Sequence, residues 1–348
     1  MKNILITGGA GFIGSHLVRY LLNKYPNYEI INLDLLTYAG NITNLNECSN
    51  NPNYKFIYGD IGDRELIKKT LSDYNIDTII HLAAESHVDR SIENPSKFIE
   101  TNVLGTVNLL QSAVDTWKNK LSENLFYHVS TDEVFGSLGL KGSFKETTRY
   151  DPRSPYSASK ASSDHFVRAY GETFGLRYLI SNCSNNYGEN QFPEKLIPVV
   201  INSVINQTSI PVYGDGKNVR DWLYVGDHCE AIDTIIHSDI SNNTFCIGGD
   251  SELTNLELIK KIIKIADVML GNQENTSTRL IDFVRDRAGH DRRYAIDASK
   301  LKSLNWKPRT QLDHGLSKTI KWYIDNKVWL SSILDKSYLT ANLKGSKN

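Results

Sequence analysis

The sequence predicts an α/β protein, with a parallel sheet covered by helices on both faces and a smaller C-terminal α/β domain. Short apolar runs alternate with stretches of helical periodicity up to about residue 182. Several of these runs end in glycine or aspartate, as at Asp34 and Gly59-Asp60. Strand-helix alternation of this kind requires crossover connections, which are right-handed and make the strands parallel.

Each element is predicted from its periodicity. The strands of the large sheet are predicted at 3–7, 29–33, 54–58, 78–82, 125–130 and 177–181. Apolar residues at intervals of three and four predict intervening helices at 12–23, 64–74, 96–117 and 156–174. Beyond residue 182 the sequence predicts helices at 196–206 and 256–270, a strand at 220–225 that leads into a helix ending at 236, and a basic loop at 285–293.

These elements predict two domains that exchange chain segments. Residues 1–184 and about 219–245 form the first, and about 185–218 and 246–335 form the second. The polar segment 336–348 is expected to be a frayed tail.

Composition narrows the functional class. The chain has 348 residues, enough for one large domain or two. Lys+Arg number 39 and Asp+Glu 40, a net charge of −1, which argues against binding nucleic acid or a membrane through bulk positive charge. Hydrophobic residues make up 40% and charged residues 23%, as in ordinary globular proteins.

The cysteines and histidines predict neither disulfides nor a metal site. The four cysteines are far apart and include no CxxC pair, which is typical of reduced thiols in a cytoplasmic protein. The histidines lack the spacing of metal ligands, so no metal is expected. No signal-peptide core and no apolar run of about 20 residues is present, so no membrane association is expected.

A glycine-rich turn separates the first strand from the first helix. It reads Thr7-Gly8-Gly9-Ala10-Gly11-Phe12-Ile13-Gly14 and fits both GxGxxG and GxxGxxG. Glycine allows the backbone to approach a pyrophosphate, which the helix N-terminus then binds. Asp34 closes the second strand twenty residues later, where a carboxylate accepts the ribose hydroxyls of NAD and repels the 2′-phosphate of NADP. Strand, glycines, helix and acid together predict a Rossmann-type domain and disfavour a turn without a ligand.

The predicted NAD site extends beyond this turn. Asp60 follows the third strand and either accepts from the adenine amino group or is a simple turn residue. The candidate cofactor residues are Gly8, Gly11, Phe12, Ile13, Gly14, Asp34, Asp60, Ile61, Ala83, Ala84, Tyr156 and Lys160.

Tyr156 and Lys160 lie four residues apart on a predicted helix and so share a face. An ammonium beside a phenol favours the phenolate and makes the tyrosine a better general base. The spacing recurs by chance elsewhere in the chain, so context selects this pair. Tyr156 follows Pro155 at a helix start, and Thr131 ends the fifth strand, where an open α/β sheet binds its ligands.

The glycine turn, Leu82-Ala83-Ala84, Ser130-Thr131 and the Tyr156/Lys160 pair together resemble the extended short-chain dehydrogenase/reductase family. The resemblance covers nearly the whole chain. It implies a nucleotide-sugar substrate and a bound NAD(P), with Tyr156 taking the proton of a sugar 4-hydroxyl.

Asp132 and Glu133 sharpen that resemblance. Adjacent acids at a strand end are ordinarily solvated loop charges, but Thr131-Asp132-Glu133 resembles the motif of the dTDP-glucose 4,6-dehydratases. Similar segments include Ala84 to Ser91, Tyr156 to Ala161 and Arg220 to Val225. The resemblance implies that Glu133 removes the C5 proton, Asp132 protonates the departing 6-hydroxyl, and hydride returns to C6 to give a 4-keto-6-deoxy sugar.

Three alternatives stay open. A 4-epimerase shares the cofactor turn and the Tyr/Lys pair but lacks the Asp-Glu pair. A GDP-mannose 4,6-dehydratase usually carries serine where Asp132 stands. A non-catalytic NAD sensor on the same fold typically loses the tyrosine or the lysine, and this chain keeps both.

The resemblance also implies the substrate site, in which arginines suit bidentate contacts to the diphosphate. The candidates are Ser86, His87, Asn185, Glu194, Lys195, Leu196, Pro211, Tyr213, Arg220, Asn255, Arg287 and His290. Ala288 and Glu189 depart from the family pattern, which usually has proline at both positions, and put the rigidity of their loops in doubt. Helices 96–117 and 156–174 are expected to pair two copies into a homodimer.

Overall fold

The computed structural model describes residues 2–339 and 342. The strands are β1 (Asn3–Thr7), β2 (Glu29–Asp34), β3 (Tyr54–Tyr58), β4 (Thr78–His81), β5 (Leu125–Thr131), β6 (Tyr178–Cys183), β7 (Asn185–Tyr187), β8 (Ile210–Tyr213), β9 (Val219–Tyr224), β10 (Asn243–Ile247), β11 (Glu252–Thr254) and β12 (Ile281–Val284).

The helices connect these strands and cover both faces of the main sheet. They are α1 (Phe12–Lys24), α2 (Arg64–Asp73), α3 (Val88–Glu93), α4 (Pro95–Phe98), α5 (Gly105–Trp117), α6 (Pro155–Phe174), α7 (Leu196–Asn206), α8 (Val225–Ile236), α9 (Asn255–Met269), α10 (Ser299–Lys302), α11 (Leu312–Asp325) and α12 (Lys327–Leu334).

The main sheet has seven parallel strands in the order β10-β6-β5-β4-β1-β2-β3. The predicted α/β fold with a doubly wound parallel sheet is confirmed. The chain moves from β1 outward to β3 and then returns to β4 on the other side of β1. This reversal opens a crevice at the carboxyl ends of β1 and β4, where such sheets bind ligands. β10 joins the edge beside β6, a pairing that the sequence pattern did not predict.

Two apolar layers sandwich this sheet. On one face, residues of α1 and α8 pack against it, including Leu17, Leu21 and Ile232. On the other face, residues of α2, α5 and α6 do so, including Ile67 and Leu109. Burial on both faces explains why the central strands are apolar without alternation.

The predicted helix 96–117 is interrupted by a π-helical segment, Ile99–Leu104, between α4 and α5. Asn102, in its middle, is buried, and its amide donates to the Glu85 carbonyl (3.0 Å) and to Ser159 Oγ (2.8 Å). The wider turn lets this side chain tie the helix to the cavity wall at Glu85 and to α6.

The smaller domain is built on two short sheets, β11-β9-β7 and β12-β8. α7, α9 and α11 cover them and form a separate apolar core. β9 pairs with β7 and β11, whereas the sequence-based boundary near residue 219 assigned it to the cofactor domain. The chain returns to the large domain at Val225, because the apolar face of α8 packs on α1.

The expectation of a frayed tail fails for Tyr338 and Asn342, which are buried. Asn342 Nδ2 donates to the Gly40 carbonyl (2.7 Å), and Asn342 Oδ1 accepts from the Ile42 backbone N–H (3.1 Å). These contacts pin the loop after β2. Residues 340, 341 and 343–348 lie outside the described part of the chain.

Candidate active site

A cavity of about 330 Å³ lies at the carboxyl ends of β1, β2, β4, β5 and β6. Every candidate cofactor residue lines it, from Gly8 to Lys160, as do Thr131, Asp132 and Glu133. Of the candidate substrate residues, Ser86, Asn185, Glu194 and Lys195 also line it. The other eight lie outside its wall, and they are His87, Leu196, Pro211, Tyr213, Arg220, Asn255, Arg287 and His290.

The glycine turn forms the floor of the cavity at the start of α1. Gly8 has a φ of 74°, and a Cβ there would lie 2.7 Å from the Ala83 Cα and N atoms. A Cβ on Gly14 would lie 2.2 Å from the Gly8 carbonyl oxygen. Gly11 begins the helix without a capping side chain, so the first N–H groups of α1 are left for an anion. The cradle fits the pyrophosphate of NAD.

Asp34 stands where β2 ends. Its Oδ2 accepts from the Ala10 N–H (2.9 Å) and its Oδ1 from the Leu36 N–H (2.8 Å). Burial raises the pKa of Asp34, and these two backbone bonds oppose that rise. Each oxygen keeps a second lone pair for a ribose hydroxyl. Asp60 accepts from the Gly62 N–H (2.8 Å) and is exposed, so its turn role is visible in the structure.

The two adjacent carboxyl groups have different surroundings. Asp132 begins a 3₁₀ turn, Asp132–Phe135, directly after β5, and burial and then Glu133 raise its pKa well above the ordinary value. Burial also raises the pKa of Glu133, but the cations Arg287, Arg220 and Lys195 oppose that rise. Asp132 is therefore suited to hold a proton and Glu133 to accept one.

Tyr156 lies in the first turn of α6, between Ser154 and Ser157, which form a capping box. Burial and then Glu133 raise the pKa of Tyr156 well above its ordinary value, and a hydrogen bond with Thr131 opposes them. The sequence predicts the Lys160 ammonium beside this phenol, but the structure gives the ammonium another partner. Lys160 Nζ instead donates to the Val129 carbonyl (2.9 Å), because its side chain runs down the buried face of α6 toward β5.

The C-terminal candidates are engaged with protein partners. Arg287 lies 3.8 Å from an Asp89 oxygen, and His290 Nδ1 lies 2.6 Å from Asp286 Oδ1. The Arg220 guanidinium stacks over the Tyr294 ring at 4.2 Å and donates to the Asp291 carbonyl (3.0 Å).

Some polar atoms of the candidate substrate residues have no partner in the described part of the chain. Among the described residues, Arg287 Nε, Asn255 Oδ1 and Asn185 Oδ1 are buried without hydrogen-bond partners. Such atoms are suited to a polar ligand. Tyr213 is exposed on β8, with its ring 6.4 Å from that of His290.

Glu189, a departure from the family pattern, is fixed by its side chain. Its carboxylate accepts from the Tyr224 hydroxyl (2.9 and 3.0 Å) and lies 3.4 Å from Lys318 Nζ. These bonds hold the loop where the family uses proline. The structure offers no comparable account of Ala288.

The family model described as GDP-mannose 4,6 dehydratase matches residues 5–319. A dTDP-glucose 4,6-dehydratase of Xanthomonas campestris is 48% identical over 344 residues, covering 97% of each chain. One from Escherichia coli is 47% identical over 353 residues, covering 96% of this chain and 97% of the relative. The chain belongs to the dTDP-glucose 4,6-dehydratase family.

Solved structures agree with that membership. The dTDP-glucose 4,6-dehydratase of Bacillus anthracis, crystallised with NAD, has a TM-score of 0.85 and 43% identity and covers 96% of this chain and 100% of that one. A UDP-glucose 4-epimerase of Thermotoga maritima has a similar TM-score of 0.82 but 28% identity, covering 93% and 99%. The extended short-chain dehydrogenase/reductase fold is thus shared with epimerases, but the sequence identity is higher to the dehydratases.

Sequence reasoning missed part of the site. The loop after β2 contributes Thr37, Ala39 and Gly40 to the cavity wall, and the π-helical segment contributes Thr101. No local motif marks these residues. Gln191 and Phe192, which were not among the candidate residues, also line the wall. No group of three or more metal-binding side chains occurs within the described residues.

Proposed function

We propose that this protein is a lyase that converts dTDP-glucose to dTDP-4-keto-6-deoxyglucose and water with a bound NAD. The observation that carries the proposal is the Asp132/Glu133 pair beside Tyr156 in one cavity. A dehydration needs one acid and one base, and the different surroundings of these two carboxyl groups separate their protonation states. Epimerisation needs neither group.

The first step takes place at sugar C4. For this step Tyr156 must be the phenolate, the form that Thr131 favours by lowering the pKa of the phenol. The phenolate accepts the proton of the 4-hydroxyl as C4 becomes a ketone. Lys160 is held behind it by the Val129 carbonyl. NAD, when bound, supplies the hydride acceptor for C4 and later the hydride donor for C6.

The second step uses the acidity of C5. The new C4 ketone acidifies the C5 proton, which Glu133 removes. Asp132 gives its proton to the 6-hydroxyl, which leaves as water and opens a C5=C6 double bond. Glu133 then returns a proton to C5 as C6 is reduced. Over the cycle, Tyr156 gains one proton and Asp132 loses one, so that proton must be returned before the next turnover.

The substrate diphosphate binds, in this proposal, against Arg220 and Arg287, with Asn185 and Lys195 nearer the sugar. Arg287, Arg220 and Lys195 each lower the pKa of Glu133, so their charges act on the reacting end of the cavity. The domain division follows: the large domain binds NAD, and the smaller one binds the nucleotide sugar.

A homodimer forms through the helices that flank the cavity. Ile99 and Leu104 of the π-helical segment are 52% and 58% exposed. Phe166 and Phe174 on α6 are also exposed. Together they leave an apolar surface on two neighbouring helices, which a second copy would cover.

The proposed location is the cytoplasm, where the four buried, free cysteines remain reduced. Among the described residues, no helix has the length and apolar character needed to cross a bilayer.

The test is a mass-spectrometric assay with dTDP-glucose, GDP-mannose, UDP-glucose and UDP-N-acetylglucosamine, each without added reductant. Loss of one water from dTDP-glucose alone, without net change in NAD, is expected. The Asp132→Asn variant should not release water. Water loss from GDP-mannose, or an altered configuration at constant mass, would instead indicate one of the two rival activities.

A further inference from the structure

A stripe of polar side chains continues along α6 beyond the Tyr/Lys pair. Tyr156, Lys160, Asp164 and Arg168 recur every four residues and therefore share one face of the helix. The proposed reaction uses only the first two. Asp164 is 0% exposed, although a buried carboxylate lowers the stability of a protein unless partners compensate it. Its presence directly behind Lys160 requires an explanation.

Asp164 has the partners that keep it ionised. Its Oδ2 accepts from the Tyr150 hydroxyl (2.7 Å) and the Asn182 amide (3.1 Å). Its Oδ1 lies 3.4 Å from His128 Nε2. Arg168 donates to the same Tyr150 hydroxyl (2.8 Å). Burial alone would raise the pKa of Asp164, but His128, Lys160 and Tyr150 outweigh it and the pKa is lowered.

His128 lies between Asp164 and Lys160. Its Nε2 is 3.3 Å from Lys160 Nζ and 3.4 Å from Asp164 Oδ1. Burial and then Lys160 lower the pKa of His128 to about 4, so the imidazole is neutral at physiological pH. The neutral ring fills the space between the two charges without screening them as water would.

Before substrate binds, the other titratable groups facing Lys160 are uncharged. Burial lowers the pKa of His81 on β4 and raises that of Cys183 on β6 to about 12. Burial also raises the pKa of Tyr156. Asp164 is therefore the negative charge that faces this ammonium among the described residues.

We propose that Asp164 is a positioning residue for the reaction, whose buried carboxylate, placed across His128, keeps Lys160 protonated and aimed along the cavity wall. This inference rests on the proposed function. Lys160 is almost fully enclosed, and burial lowers its pKa to about 8, with Asp164 as the largest opposing influence. Without the carboxylate, the ammonium would lose its proton near neutral pH, and the cavity wall behind Tyr156 would lose its positive charge.

The first test is the pH dependence of kcat/KM for dTDP-glucose in the NAD-loaded enzyme. On the basic limb of the pH profile, the kcat/KM of the wild type is expected to fall near pH 8, where Lys160 deprotonates. In Asp164→Asn the limb should move toward acid by at least about one pH unit, as for loss of a nearby opposite charge. A merely structural role would lower the rate equally at every pH.

Asp267→Asn is the matched control. Asp267 is also 0% exposed and accepts from Ser277, but it lies on α9 in the smaller domain. Its substitution removes a buried carboxylate and should leave the basic limb where it is. A limb that moves equally in both variants would overturn the proposal.

Arg168→Gln is a second variant that tests the proposal if Asp164→Asn does not fold. Arg168 compensates Asp164 through Tyr150 from a partly exposed position, so removing its charge should shift the limb toward alkaline pH. A shift of opposite sign in the two variants, or the alkaline shift alone, supports the proposal. An unchanged or acid-shifted limb in Arg168→Gln contradicts it.

A second readout needs no turnover. Trace acetylation of Lys160 with acetic anhydride, followed by peptide mass spectrometry across pH, reports the midpoint of its titration directly. This midpoint should fall in Asp164→Asn. If wild-type enzyme leaves dTDP-glucose unchanged, the proposed function fails. If the wild type is active and the Lys160 midpoint is the same in Asp164→Asn, only this inference fails.

Discussion

The two halves of the site are built differently. On the cofactor side, the walls come from backbone geometry, and even the carboxylate of Asp34 is fixed by two backbone N–H groups. On the nucleotide-sugar side, three C-terminal candidate side chains are engaged with other protein groups. Arg287 faces Asp89, His290 faces Asp286, and Arg220 donates to a main-chain carbonyl.

This difference has an energetic meaning. The glycine cradle needs no rearrangement to accept a pyrophosphate, so its binding free energy is not reduced by broken contacts. When substrate binds, Arg287 must exchange the Asp89 carboxylate for a phosphate, and Arg220 must exchange a main-chain carbonyl for one. A reaction that regenerates its cofactor is served by this arrangement, because NAD stays bound while the sugar nucleotides exchange.

The largest effect is expected for Gly14→Ala. The new methyl would lie 2.2 Å from the Gly8 carbonyl oxygen and would force the turn apart. NAD binding, measured by calorimetry, should be lost. Gly139→Ala is the control, because a Cβ there has no atom within 4 Å. Full NAD affinity in Gly14→Ala would show that the cradle adapts and would remove the contrast between the two halves.

Next come the variants that separate the chemical steps. Tyr156→Phe should slow C4 oxidation by about 10²–10⁴-fold, since it removes the proton acceptor. Glu133→Gln should permit oxidation but stall elimination, so absorbance of reduced cofactor at 340 nm should rise and persist. Stopped-flow measurements distinguish the two. Normal turnover in Glu133→Gln would reject its role as the base.

A graded effect is expected on the nucleotide-sugar side. Arg287→Met removes a charged donor to the diphosphate and should raise KM about 10–100-fold, since such bonds contribute about 1.5–3 kcal/mol. The turnover number should change much less. Steady-state kinetics checks this split. A fall in kcat with unchanged KM would place Arg287 in the chemical step instead of in binding.

The smallest effect concerns stability. The folded-state pKa of Asp132 is raised, so the folded protein holds a proton that the unfolded chain releases above about pH 4. Stability from this group therefore falls as pH rises, by about 1.4 kcal/mol per unit, up to the folded pKa. Asp132→Asn should raise the melting temperature at neutral pH and lose that advantage near pH 4. An advantage independent of pH would mean that Asp132 is ionised when folded.

What the sequence could predict was local. Six strands of the large sheet and the turn from Gly8 to Gly14 follow from periodicity and glycine spacing, which act over a few residues. The edge position of β10 and the placement of β9 in the small sheet depend on pairing between distant segments. No spacing rule reveals such pairing.

In the site, too, local features could be predicted from the sequence and contacts between distant segments could not. The spacing of Tyr156 and Lys160 placed both on one helix face, but the lysine points to Val129, a contact that only packing against β5 decides. The pairing of Arg287 with Asp89 joins residues nearly two hundred positions apart and was likewise hidden. In contrast, the Asp164 and Arg168 spacing was present in the sequence as a continuation of the same four-residue step.

The central claim is that one bound NAD serves both C4 and C6 within a single closed cycle. The direct test uses a mixture of two substrates. One is dTDP-glucose deuterated at C4, and the other is dTDP-glucose without deuterium but with a ¹³C label in the sugar. The product is analysed by mass spectrometry and NMR. Deuterium should appear at C6 of the same molecules that carried it at C4. Deuterium lost to solvent, or found at C6 of the ¹³C-labelled molecules, would contradict the account.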